Sequence, residues 1–147
     1  MSKDKITDGL NALLADYQVY YQKLRNYHWT VRGSEFFKLH EKFEEGYNEA
    51  ADWVDDLAER VMALGGDPYA TLQEQLEHAR IDEDPSSPPA NEMVSNLVSD
   101  IERLNGYARE LAEEAEEAND RTTTNLLDDI VDAQAERVWM FKTFLEE

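Results

Sequence analysis

Two long runs with helical spacing, separated by a single break at Arg32-Gly33-Ser34, constrain this chain more than any other feature. In the first run Ile6, Leu10, Leu13, Leu14, Tyr17, Tyr20, Tyr21, Leu24, Tyr27, His28 and Val31 recur at helical intervals and form a wide apolar stripe. The second run covers residues 35–64 and stops at Gly65-Gly66-Asp67-Pro68, the usual order of helix-ending Gly and then Pro. At the break, Gly33 suits the end of one helix and Ser34 the N-cap of the next, so a helical hairpin is predicted. A looser stretch follows as far as Pro89. Thr71–Ala79 is expected to make a short helix there, and the loop Asp84-Pro85-Ser86-Ser87-Pro88-Pro89 ends it. A third helix is predicted over residues 90–118, a turn at Asn119-Asp120-Arg121, and a fourth helix over residues 122–145. The expectation is an all-α, four-helix bundle, in one domain over residues 1–147, with a long crossover carrying a short helix between helices 2 and 3.

The chemistry-bearing residues crowd around the hairpin. His28 lies five residues before Gly33 and His40 six residues after Ser34, so their imidazoles project at about the same level near the turn. Taking 100° per residue from His40, Glu44 falls near about 40°, Asp55 near about 60° and Glu59 near about 100°, all on one side of the second helix. They do not share a height. His40 and Asp55 are fifteen residues apart, or about 22 Å along the axis, whereas metal bonds to imidazole and carboxylate are about 2 Å long. One chain cannot close such a site. Two copies of the helix packed antiparallel about a two-fold axis would set the histidine end of one against the carboxylate end of the other, giving two equivalent sites. Ala51 and Ala58 in the same sector allow close approach, and Phe43, Tyr47, Val54, Leu57 and Val61 border it. Spacing alone leaves a packed or solvated role open for each of these residues. It also leaves iron, zinc and manganese undivided, because imidazole and carboxylate without sulfur suit all three. A di-iron site inside one bundle would use Glu-x-x-His, but Arg25, Phe37 and Gln75 stand three residues before the three histidines. His78, in the polar crossover, is expected at the surface.

Composition removes other classes. Thirty-three acidic against fourteen basic residues give a formal net charge of −19, which opposes contact with DNA phosphates or anionic lipid and favours cations. Cysteine is absent, so disulfides, thiolate metal sites and cysteine nucleophiles are excluded together. No apolar run approaches a membrane span and the N-terminus lacks the core of a signal peptide, so a cytoplasmic location is expected.

The pair His28-Trp29, the turn Val31-Arg32-Gly33, His40-Glu41, Asp55, the run Ala58-Glu59-Arg60 and Leu64-Gly65-Gly66 closely resemble the Dps family of mini-ferritins. The resemblance implies a ferritin-like bundle assembled as a hollow homododecamer. It also implies a ferroxidase centre between two subunits that oxidises Fe(II) with hydrogen peroxide or oxygen and stores ferric mineral. On that resemblance His28, His40, Asp55 and Glu59 are the catalytic metal ligands, and Glu44, often Asp in the family, is a further ligand or a carboxylate supporting one. Trp29 would give or intercept an electron. Trp53 and Trp139 are expected to pack. Carboxylates near the start of the last helix line three-fold pores in the family, which points to Asp120, Asp128, Asp129 and Asp132; Asn125 stands where a pore Asp is expected. The lysine-rich arm of DNA-binding members is not matched by residues 1–5, where only Lys3 and Lys5 are basic. Iron sequestration is therefore expected rather than nucleoid compaction. A zinc-occupied cage without turnover is the remaining rival.

Overall fold

The computed structural model describes residues 2–146. Met1 and the side chains of Ser2 and Lys3, part of the stretch read above for basic residues, lie outside the described residues. Five helices follow in order: α1 (Ser2–Thr30), α2 (Phe36–Ala63), α3 (Leu72–His78), α4 (Ala90–Glu117) and α5 (Arg121–Leu145). α1 packs along α2 and α4 along α5, so two helical hairpins stack through an α1–α4 contact to make the ferritin-like bundle. Among the described residues there is no strand, and no helix is long and apolar enough to cross a membrane.

Local chemistry explains where the helices stop. Gly33 sits at φ 105°, a left-handed conformation that glycine adopts without penalty, and its carbonyl accepts the Phe36 amide at 3.1 Å. Ser34 is not the N-cap that the sequence suggested. That position falls to Glu35 with no side-chain cap, because the Gly33 carbonyl closes a turn ahead of the helix. At the far end of α2, Gly65 is left-handed (φ 86°), its amide donates to Met62 O, and Gly66 N donates to Val61 O, the paired closure of a Schellman motif. Asn119 (φ 62°) ends α4 in the same way, with Asn119 N to Glu116 O and Asp120 N to Ala115 O. The short crossover helix begins at Thr71, which forms a capping box with Glu74.

The crossover is held to α1 by polar contacts as well as by apolar ones. Asn11 Nδ2 donates to Asp67 O and Asn11 Oδ1 accepts from Tyr69 N. Asp16, fully buried, accepts from the backbone amide, Nε and Nη2 of Arg80, whose guanidinium lies 3.7 Å over the Tyr107 ring of α4. Tyr17, Tyr20, Leu24 and Tyr27 from α1 fill the bundle with Phe43, Trp53 and Leu57 from α2 and Leu97, Ile101 and Leu104 from α4. Trp53 is thus packed as expected, while Trp139 is 64% exposed. The phase of α5 explains the difference: Val138 is half-buried and Phe141 buried, and a residue one step on from Val138 turns away by about 100°.

α2 and α5 are also joined at the carboxyl end of α2. Arg60 donates from Nε to Thr123 Oγ1 and from Nη2 to Asp120 Oδ1, both at 2.9 Å, and Asp120 caps α5 by accepting from Thr123 N. Burial pushes the Asp120 carboxyl up, but hydrogen bonds from Thr123 and the Arg60 charge outweigh it and hold it below its ordinary value of 3.8. A carboxyl held low contributes stability above its unfolded pKa and loses it as pH falls through the folded value. Asp120→Asn, which keeps a cap acceptor but removes the charge that faces Arg60, is therefore expected to unfold at a lower urea concentration than wild type at pH 7. The difference should shrink as pH falls below the ordinary value of 3.8 and through the folded value, and a difference independent of pH would contradict the assignment.

Candidate metal centre

The turn at Gly33 folds α1 back on α2 and brings the two histidines face to face. Their rings stack with centroids 3.7 Å apart and planes 14° from parallel. His28 Nδ1 lies 2.6 Å from His40 O, and His40 Nδ1 lies 2.8 Å from His28 O. A backbone carbonyl only accepts, so each Nδ1 carries the proton and donates it to the other residue's backbone. Nε2 is then the ring nitrogen that each histidine can offer to a metal. This reciprocal pair fixes tautomer and ring orientation before any ion arrives.

Glu44, one turn beyond His40 on α2, places Oε1 3.9 Å from His28 Nε2. One donor atom from each of His28, His40 and Glu44 lies within 4.8 Å of the others. Two ligands of one ion with bonds of about 2.0–2.2 Å stand no more than about 4.4 Å apart, so a small inward movement closes three donors on one cation. His28 is buried, His40 half-buried and Glu44 exposed, which makes the cluster a shallow cup opening outward.

Asp55 and Glu59 are not part of that cup. They lie far along α2 and form a second cluster with Asp56, with donor oxygens within 4.8 Å of one another and all three residues exposed. Asp56 was not anticipated. The signal was the adjacent pair Asp55-Asp56, which the single-face reading of the helix set aside. Partial burial, followed by the charges of Asp55 and Asp52, raises the Asp56 carboxyl above its ordinary value of 3.8. Among the described residues none of the three makes an ion pair, so a cation placed there would relieve repulsion that the chain alone does not. Arg60, next to Glu59, turns instead toward Asp120.

The surface between the two clusters differs from the expectation in one respect. Phe43, Leu57 and Val61 are fully buried in the chain's own core and leave no area for a partner. What remains free is narrower: Tyr47, Val54 and Ala58 half-buried, Ala51 exposed and Met62 59% exposed. Of the outlying residues, Trp29 is 57% exposed with the Arg25 guanidinium 4.9 Å over its ring. His78 is exposed, as expected, and stacks on Tyr69. Asp128, Asp129 and Asp132 stand exposed on α5, whereas Asp120 is occupied by the Arg60 and Thr123 contacts.

A ferritin-like domain profile matches residues 7–147. Over 137 residues, 93% of this chain and 92% of the relative, the sequence is 47% identical to the DNA protection during starvation (Dps) protein of Brevibacillus brevis. The chain belongs to the Dps family of ferritin-like proteins. The solved Dps structure from Bacillus brevis superposes on this Dps-family chain with a TM-score of 0.97 at 44% identity, covering 99% of this chain and 97% of the other. The Dps protein of Vibrio cholerae O1 is described as a member of a broad superfamily of ferritin-like diiron-carboxylate proteins. It matches at a TM-score of 0.96 and 36% identity, over 99% of this chain and 91% of the other. Membership places this Dps chain among ferritin-like proteins, with which iron storage is consistent.

Proposed function

We propose that the protein is a ferroxidase and iron store, a homododecamer in which the His28–His40–Glu44 cup of one subunit meets Asp55 and Glu59 of the partner subunit. One observation carries this reading. The His28–His40–Glu44 cluster at the turn and the Asp55–Asp56–Glu59 cluster farther along α2 are separated by about 22 Å from His40 to Asp55, a gap that only a second, antiparallel copy can bridge. Imidazole nitrogens from one side and carboxylates from the other give the mixed set that suits ferrous iron, with positions left for water or peroxide.

Ferrous iron is the substrate. The net charge of −19 attracts it, and Asp128, Asp129 and Asp132 on the exposed side of α5 form the acidic route by which it passes inward. At the shared site the two Nε2 atoms and the carboxylates would hold the ion, the Nδ1 hydrogen bonds keeping both rings oriented toward it. Two ferrous ions give one electron each to hydrogen peroxide, the O–O bond breaks, and two protons complete two waters. The ferric product hydrolyses to mineral on the acidic inner wall and releases protons.

Stopped-flow absorbance after mixing with ferrous iron tests the reading. With peroxide present, ferric absorbance should rise much faster than in protein-free buffer, and about two ferrous ions should be consumed per peroxide, as that electron count requires. Binding of zinc at the same sites with iron oxidised no faster than in buffer would instead make the assembly a zinc-holding cage without turnover.

A further inference from the structure

We infer that Asp84, in the loop that leads into α4, is a positioning residue for the histidine half of the metal centre: through Tyr27 it holds the last turn of α1 at the angle that stacks His28 on His40. The inference rests on the shared-site reading above in one respect, that the two imidazoles take a metal ion. Asp84 is not among the donors clustered at the turn. The need for it follows from the geometry of the cup. His28 Nδ1 and His40 Nδ1 each donate to the other residue's backbone carbonyl, at 2.6 and 2.8 Å, and such bonds weaken steeply when bent or stretched. The pair therefore closes at one crossing of α1 on α2. His28 lies two residues before the end of α1 at Thr30, where a helix frays unless something outside it holds the turn.

The two side chains immediately ahead of His28 meet this one residue. Asn26 Nδ2 donates to Asp84 O at 2.9 Å, and the Tyr27 hydroxyl donates to Asp84 Oδ2. On its other oxygen Asp84 accepts from Ser86 N at 2.9 Å and from Ser86 Oγ at 2.6 Å, a turn that folds the loop on itself and aims the carboxylate at α1. Tyr27 passes the constraint on. Its ring is buried and leans on Phe43 of α2, with centroids 6.2 Å apart, and Phe43 stands between His40 and Glu44 on that helix. The hydroxyl also accepts from Asn96 Nδ2 of α4 at 3.1 Å. One phenol thus ties the histidine turn to α2, to α4 and to the loop.

The protonation states suit these roles. Hydrogen bonds from Ser86 and from Tyr27 hold the Asp84 carboxyl below its ordinary value of 3.8, so it accepts as a carboxylate. Burial, and after it the bond to Asp84, pushes the Tyr27 phenol up, so it keeps the proton that it donates.

Cobalt(II) binding to the assembled protein tests this, because cobalt(II) takes the same nitrogen and oxygen donors and its visible absorption follows their arrangement. The absorption lost in the variant carrying both His28→Ala and His40→Ala belongs to the cup. Asp84→Ala should weaken cobalt binding there by about 10-fold, the low end for removing a group that orients a metal ligand, and shift the absorption maximum. Tyr27→Phe, which keeps the ring on Phe43 and loses the bond to Asp84, should do the same. Combining the two should cost no more than Asp84→Ala alone, since the carboxylate acts through the phenol. Thr71→Ala removes the capping box of the same crossover and should leave cobalt affinity and absorption unchanged. Wild-type affinity and absorption in assembled Tyr27→Phe protein, additive losses in the combined variant, or an equal loss in Thr71→Ala overturns the positioning role and leaves the shared-site reading standing. If no cobalt absorption depends on His28 and His40, that reading falls and the inference with it.

Discussion

Lys23→Ala unfolds at a markedly lower urea concentration than wild type at pH 7, with about 3–5 kcal/mol of stability lost, the range for removing one partner of a buried ion pair. Lys23 on α1 donates from Nζ to Asp100 Oδ2 on α4 at 2.7 Å, and the two side chains retain only 7% and 10% of their exposure. This pair crosses the contact between the two hairpins, so what it loses is the registry of the bundle as well as a charge. Burial holds the Asp100 carboxyl above its ordinary 3.8, against the opposing pull of Lys23 and Arg103. A carboxyl raised in this way is most favourable to the fold when protonated, below the unfolded value. That contribution is lost as pH rises through the folded value. Removing Lys23 raises it further, so the penalty of Lys23→Ala should be smaller at pH 4 than at pH 7. Lys23→Met combined with Asp100→Leu, which removes both charges, should recover most of the loss. Urea midpoints at a single protein concentration measure all three, and a Lys23→Ala midpoint equal to wild type at pH 7 contradicts the argument.

The elements were legible because each carries its own punctuation. Gly33, Gly65-Gly66 and Asn119 mark ends that are left-handed or Schellman-closed in the structure, and Thr71 with Glu74 makes the capping box that starts the crossover helix. Ser34 misled because a backbone carbonyl, invisible to residue type, had already closed the turn. Residue type alone puts Trp139 in the core, whereas its phase between Val138 and Phe141 turns it outward. The same limit applied to Phe43, Leu57 and Val61. A 100° sector drawn from sequence cannot tell which part of a wide apolar stripe the chain's own core consumes, and here the core takes all three.

At the site, spacing sets His28 level with His40 and puts Asp55 and Glu59 farther along α2, while the family resemblance names them as ligands. Spacing could not show the reciprocal Nδ1-to-carbonyl pair, which depends on two helices closing at one angle about Gly33. Nor could it show the Tyr47 ring against His28, a contact between residues nineteen positions apart on different helices. A helical wheel sets Asp56 on a different face from Asp55 and Glu59, yet the three carboxylates converge across the two faces.

Inactive variants that restore one another are the second large effect, and they test the shared site directly. His28→Ala with His40→Ala removes the imidazole half, and Asp55→Ala with Glu59→Ala removes the carboxylate half; each assembly alone should oxidise ferrous iron no faster than buffer. When the two are refolded together, a mixed pair has intact histidines from one subunit facing intact carboxylates from the other at one site, while its second site has neither. Random pairing makes half the pairs mixed, so about a quarter of the sites should recover, as two equivalent sites per two-fold interface require. Stopped-flow iron oxidation of the co-refolded protein, with mixed assemblies verified by mass, should therefore reach about a quarter of the wild-type amplitude. Verified mixed assemblies with no oxidation above the separate variants would contradict a site built between subunits.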